Sequence, residues 1–192
     1  MQSAHILATA GSIFAARGYH ATTMDDVACR VGVSKPVIYK HFSCKLDLYL
    51  AILRRHIDTL VTKIRSAMHS NEDNRTKLSA AVNAFFDFAE NGVTGFALLF
   101  DTHVADEPSV QWHLRQLTTG CTEAVAEVVA ASGLDTKRAQ LVAAMLVGMS
   151  QSAARDWHAG RFPISKYDAV DLIVTLCWSG LSRTRSRTSA PA

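Results

Sequence analysis

No apolar run in this sequence approaches the roughly 20 residues needed to span a bilayer. Its most apolar stretches, Leu141–Met149 and Leu172–Trp178, stop well short of that length. Charged and polar residues break the first 30 positions before any apolar segment forms, so no secretory signal is expected. Together these absences predict a soluble, cytoplasmic protein with no membrane partner. Cysteine is sparse, and Cys29, Cys44, Cys121 and Cys177 show neither CxxC spacing nor paired histidines nearby. They read as reduced, small buried or half-buried residues, with no metal, disulfide or cofactor expected. A nucleophile elbow, an HExxH helix, a phosphate loop and a twin-carboxylate motif are all missing, which argues against an enzyme. Asp156-Trp157-His158 offers suggestive letters only, because adjacent helix positions point in different directions.

What is present suits a folded helical protein. Of 192 residues, 48% are hydrophobic and 19% charged, a balance that supports a buried core and excludes a disordered chain. The net charge of +3 is unevenly placed. Residues 1–70 carry nine Lys/Arg against four Asp/Glu, residues 71–182 carry eight against thirteen, and three arginines lie beyond. A basic front and an acidic rear suggest a polyanionic partner for the front alone, with chance segregation of surface charge as the other reading.

Strand-like alternation is nearly absent, while apolar residues recur at helical spacing almost throughout. Helices are expected at residues 3–17, 23–31, 34–42, 44–68, 76–90, 95–103, 109–131, 136–159 and 165–181, with glycine, proline and asparagine at the breaks. The polar stretch Ser70–Asn74 reads as a domain boundary or linker. The fold class is all-α: a three-helix N-terminal domain over residues 1–48 and a helical domain over 49–182. Residues 183–192, rich in Ser, Thr and Arg, are expected to form a disordered basic tail.

Gly18 to Leu48 carries the most information. Thr22 or Thr23 can cap a short helix by accepting from its first-turn N–H groups. Asp25 and Asp26 fall where the helix dipole favours negative charge. Met24, Val27, Ala28 and Val31 form an apolar stripe, and Gly32 permits a sharp turn. Val33 can plug the gap to a second short helix, capped by Ser34. Pro36 is tolerated in its first turn. Ile38 and Phe42 face inward. Lys35, Pro36, Val37, Tyr39, Lys40 and His41 are left pointing outward, with core packing the other reading of Val37. Two short helices joined by a tight glycine turn, with a basic and aromatic outer face, make a helix-turn-helix.

This segment resembles the tetracycline-repressor (TetR) family of transcriptional regulators. The likeness runs through Ile6-Leu7, Phe14, Arg17-Gly18-Tyr19, Ala21-Thr22-Thr23, Val27-Ala28, Gly32-Val33-Ser34, Tyr39, His41-Phe42, Lys45 and Leu48. The sequence departs from the family at Val31, Pro36, Cys44 and Leu46. The resemblance implies that Thr23, Tyr39 and Lys45 bond phosphates, which position a protein on DNA without reading sequence. It places Ser34 at the start of the reading helix, and Lys35, Pro36, Val37, Lys40 and His41 within reach of base edges. It also implies a homodimer formed by the last two helices, repression as the default, and a double-stranded palindromic operator released when a ligand binds the rear domain.

Beyond residue 75 the likeness is one of architecture. Ala139, Ala143, Ala144, Gly148 and Ser152 form a small-residue strip. Val170, Ile173, Val174, Cys177, Trp178 and Leu181 form an apolar stripe on the final helix. Both suit dimerisation or packing within the chain. A pocket for a small apolar or aromatic effector, which a fatty-acyl or similar lipid would fit, is expected among Phe85, Phe88, Phe96, Phe100, Trp112, Leu117, Met145 and Met149, with His103, Gln111 and Gln151 as polar contacts. A carrier protein with a degenerate helix-turn-helix is the competing class, but it should have lost Tyr39, Lys40 and Lys45.

Overall fold

The computed structural model describes residues 2–188 except 71, 92, 101–103, 105 and 132, and only the backbone of residues 2, 93 and 180–188. Among the described residues there are nine helices and no strand: α1 Gln2–Arg17, α2 Met24–Val31, α3 Lys35–His41, α4 Lys45–Met68, α5 Asn74–Asn91, α6 Val93–Phe100, α7 Pro108–Ala131, α8 Thr136–His158 and α9 Lys166–Thr188. Among the described residues no helix is long and apolar enough to cross a membrane.

Several starts are set by local side-chain chemistry. Asp73 accepts from the N–H groups of Arg75 and Thr76 at 2.8 and 3.2 Å ahead of α5, and Asp135 caps α8 through Arg138 N–H. At α9, Ser165 donates to Asp168 at 2.7 Å and accepts from the Asp168 N–H at 3.1 Å. Each bond to an N–H satisfies a first-turn donor that the helix itself cannot. α9 continues to Thr188, so residues 183–188, whose composition suggests a disordered tail, are helical.

The chain forms two compact units, Met1–Thr59 with Gly92–Gln116, and Leu60–Asn91 with Leu117–Ala192. The division falls inside α4 and α7. The unit holding the helix-turn-helix is therefore larger than residues 1–48, and Ser70–Asn74 does not mark its edge. The reason is packing. α1 carries Ile6, Ala10 and Phe14, all buried, and packs on both α2 and α6. α6 supplies buried Phe96, Leu98 and Leu99, and α4 supplies Leu48, Tyr49, Ile52 and Leu53 to the same core.

In the second unit α5 packs on α8 and α9, and α8 on α9. Its core includes Phe85, Phe86, Phe88, Ala139, Ala143, Leu146, Val147, Val170, Ile173 and Val174. Lys166 fixes the start of α9 to α5, its Nζ lying 2.7 Å from both Asp87 Oδ1 and Glu90 Oε2. Cys121 is buried here, and desolvation pushes its thiol up to about 12, so it is an inert packing residue.

Candidate DNA-binding surface

Thr23 is the N-cap of α2. Its Oγ1 accepts from Asp26 N–H at 3.1 Å and donates to Asp26 Oδ2 at 2.6 Å, while Thr23 N–H donates to the same carboxylate oxygen at 2.8 Å. This reciprocal arrangement is a capping box. The hydrogen bonds from Thr23 hold the Asp26 carboxyl below its ordinary value of 3.8. Thr22, the other cap candidate, is buried and donates its hydroxyl to Gly18 O at 2.8 Å.

At the far end of α2, Gly32 adopts φ +76°, a left-handed conformation that costs a glycine little. Its N–H bonds Cys29 O, and Val33 N–H bonds Ala28 O at 3.1 Å, which closes the helix as a Schellman motif. The chain thereby turns within three residues into α3.

Ser34 occupies the N-cap of α3 but makes no side-chain cap bond, contrary to the sequence expectation. Pro36 has no N–H to offer at the second position, and the Val37 N–H already donates to the Ser34 backbone oxygen at 3.0 Å. Neither the second nor the third position, the two that a capping side chain ordinarily reaches, therefore offers the hydroxyl a free N–H.

α3 stands on Ile38, fully buried, and on Phe42, which closes it through a bond from Phe42 N–H to Ile38 O. Ser34, Lys35, Pro36, Tyr39, Lys40 and His41 are exposed, and Val37 is half-buried. The outward face thus holds most of the predicted residues together on one short helix. Lys35 is tied down: Nζ lies 2.9 Å from Asp25 Oδ1 on α2, and that bond raises its affinity for the proton. Lys45, expected near a phosphate, lies at the start of α4 and turns its ammonium inward onto the backbone carbonyls of Tyr19 and Thr22. Sequence reading missed both partners, Asp25 and the Tyr19–Thr22 corner.

The effector-pocket candidates are not one group. Phe96, Phe100 and Trp112 belong to the first unit, and Phe85, Phe88, Leu117, Met145 and Met149 to the second. Phe96 and Phe100 pack on each other at 4.8 Å between centroids. Trp112 and Met145 are 53% and 65% exposed, which removes them from any interior pocket. Gln111 is exposed too, and Met149 half-buried. His103 lies outside the described residues. A groove of about 580 Å³ in the second unit is lined by α5 and α9, among them Arg75, Asn83, Tyr167 and Asp171, and by none of these candidates.

Residues 6–52 match the family of bacterial regulatory proteins designated tetR. The HTH-type transcriptional activator FasR of Mycolicibacterium smegmatis is 46% identical over 178 residues, 92% of this chain and 81% of that protein. The chain belongs to the tetR family. It is accordingly a DNA-binding regulator of transcription and not an enzyme. Two solved structures share the fold of this tetR-family chain at low identity. The fatty acid degradation regulator FadR from Bacillus halodurans has a TM-score of 0.78 at 21% identity, covering 94% of this chain and 96% of that one. FadR from Bacillus subtilis, in complex with stearoyl-CoA, has a TM-score of 0.77 at 16% identity, covering 92% and 98%.

Proposed function

We propose that this chain works as a homodimer that reads a palindromic operator with α3 and answers a fatty-acyl effector. The observation that carries the reading is the outer face of α3. Tyr39, Lys40 and His41 are exposed on a helix anchored from below by Ile38 and Phe42. In the major groove, Lys40 can donate to guanine, Val37 and Pro36 suit a thymine methyl, and Tyr39 suits a phosphate.

A dimer is supported by an exposed apolar face on the last two helices. Leu141 and Met145 on α8, and Leu172 and Leu176 on α9, are all more than half exposed. The exposed small residues Ala144 and Gly148 share the α8 face with Leu141 and Met145 at helical spacing. Two reading helices are then available for successive major grooves about 34–36 Å apart.

A fatty-acyl effector is favoured because a fold neighbour is solved with stearoyl-CoA. In the second unit Gln151 Nε2 is buried with no hydrogen-bond partner among the described residues, and a ligand carbonyl would satisfy it. Activation is the favoured sign over repression, because the relative with 46% identity is named an activator.

The test is selection of duplexes from a randomised pool, followed by titration with stearoyl-CoA. The expected result is a palindromic duplex bound by two copies, with affinity that falls steeply with salt and changes when stearoyl-CoA is added. A chain that enriches no duplex at low salt overturns the reading of α3. Enrichment with no response to stearoyl-CoA overturns the effector class alone.

A further inference from the structure

Lys45 is the first residue of α4, and its ammonium is engaged inside the protein. Nζ donates to Tyr19 O and to Thr22 O, each at 2.9 Å, and sits 4.3 Å from the centroid of the Tyr19 ring. Those carbonyls flank the corner between α1 and α2, and Thr22 immediately precedes the N-cap Thr23. The corner has internal ties of its own. Thr22 donates its hydroxyl to Gly18 O at 2.8 Å and its N–H to Tyr19 O at 3.3 Å. Tyr19 stacks on Phe14 and meets Tyr49 of α4 edge-on, with centroids 5.8 and 5.0 Å apart.

The lysine therefore joins the start of α4 to the start of α2 through two charge-assisted bonds, stronger than neutral ones. An ammonium has three donors, and two are committed here. Swinging the side chain out to a phosphate would strip both carbonyls of this donor and give up its place over the Tyr19 ring. α2 and α3 follow directly from this corner, so its position fixes where Thr23 and the α3 face stand relative to the start of α4.

We propose that Lys45 is a positioning residue for the reading helix: it sets the α1–α2 corner and contributes to DNA affinity without neutralising a phosphate. The inference rests on the reading of α3 as the DNA-binding surface. It departs from the phosphate role that family resemblance implies for this lysine.

The salt dependence of binding separates the possibilities. The duplex enriched by the wild-type chain serves as probe, and association constants are measured over a range of salt for wild type and Lys45→Met. The temperature is one at which circular dichroism shows both fully folded. Lys45→Gln, which keeps an amide donor, replaces Lys45→Met if the latter does not fold. The expected result is binding weakened about tenfold or more at every salt concentration, with the wild-type slope retained. A slope shallower by about 0.9, the value of one neutralised phosphate, makes Lys45 a phosphate ligand and overturns the proposal. Unchanged binding with a lowered melting temperature also overturns it, since the lysine would then support the fold alone. If wild type itself enriches no duplex, the DNA-binding reading fails and takes this inference with it, an outcome the wild-type control identifies.

Discussion

His56 on α4 fills the space that a side chain at position 95 would need: a Cβ on residue 95 would collide with His56 Nδ1 and lie 2.8 Å from its Cγ. α6 therefore approaches α4 closely only because residue 95 is glycine. Gly95→Ala forces the imidazole or the helix to move, and overpacking of this kind costs about 1–3 kcal/mol. Against that stands the gain in helix propensity from Gly to Ala, about 1 kcal/mol, so the net loss is about 0–2 kcal/mol. Urea denaturation should show the loss. Adding His56→Ala should remove most of the clash contribution, giving a coupling well above about 0.5 kcal/mol in a double-mutant cycle. Purely additive effects would mean that the two residues do not touch.

The same histidine gives stability a pH dependence. Burial, helped by the Arg55 charge, holds the His56 imidazole below its ordinary value of 6.5. The folded protein therefore binds this proton less readily than the unfolded chain. The stabilisation is fully present above the ordinary value, where both states are neutral, and is lost as pH falls through the lowered native value. Asp26 and Asp73, whose carboxyls hydrogen bonds hold below 3.8, add a loss of the same sign in a lower window. Denaturation midpoints measured from about pH 8 to about pH 5 should decline, and should decline less in His56→Gln. Equal declines in both proteins would assign the effect to other groups.

Thr23→Ala removes the hydroxyl that receives the Asp26 N–H and should destabilise by about 1 kcal/mol, as N-cap losses do. Thr23→Ser keeps the oxygen and should behave nearly as wild type. Amide hydrogen exchange is the direct readout: protection should fall at Asp26 and Val27 in the alanine variant and hold in the serine variant. Protection that falls equally in both would mean that the threonine methyl, not the hydroxyl, matters.

Much of the molecule is legible from composition and spacing because local chemistry decides it. The capping box at Thr23, the αL turn at Gly32 and the buried pair Ile38 and Phe42 all follow from residues within four positions of one another. What escapes depends on distant partners. Nothing near Lys45 in sequence announces the carbonyls of Tyr19 and Thr22. At Ser34 the pattern that favours a cap does not show that Pro36 and Val37 leave the hydroxyl without a donor. The membership of residues 92–116 in the first unit is also non-local, since it arises where α6 packs on α1. Phe85 and Phe96 look equivalent as letters, yet they belong to different cores.

The last two helices show the same limit and supply the final prediction. Helical period reveals an apolar stripe but not what it faces, and α9 carries two. Val170, Ile173 and Val174, which by sequence suit either dimerisation or packing within the chain, are buried within the chain, as are Ala139 and Ala143 of α8. Apolar residues left outside include Leu141 and Met145 on α8 and Leu172 and Leu176 on α9, at 63%, 65%, 55% and 63% exposed. An exposed apolar patch of this kind marks an interaction surface. If the copies meet here, a charge placed at its centre is buried without a partner, which costs several kcal/mol. Met145→Lys and Leu176→Glu should each convert a dimer to monomer in sedimentation velocity at micromolar concentration, with helicity unchanged by circular dichroism. DNA binding should fall with dimerisation, because each half-site then binds alone. Combining Met145→Lys with Leu176→Glu offers opposite charges to each other across the seam, so partial recovery of the dimer would place the two helices against each other. Dimers that persist in both single variants would move the interface elsewhere.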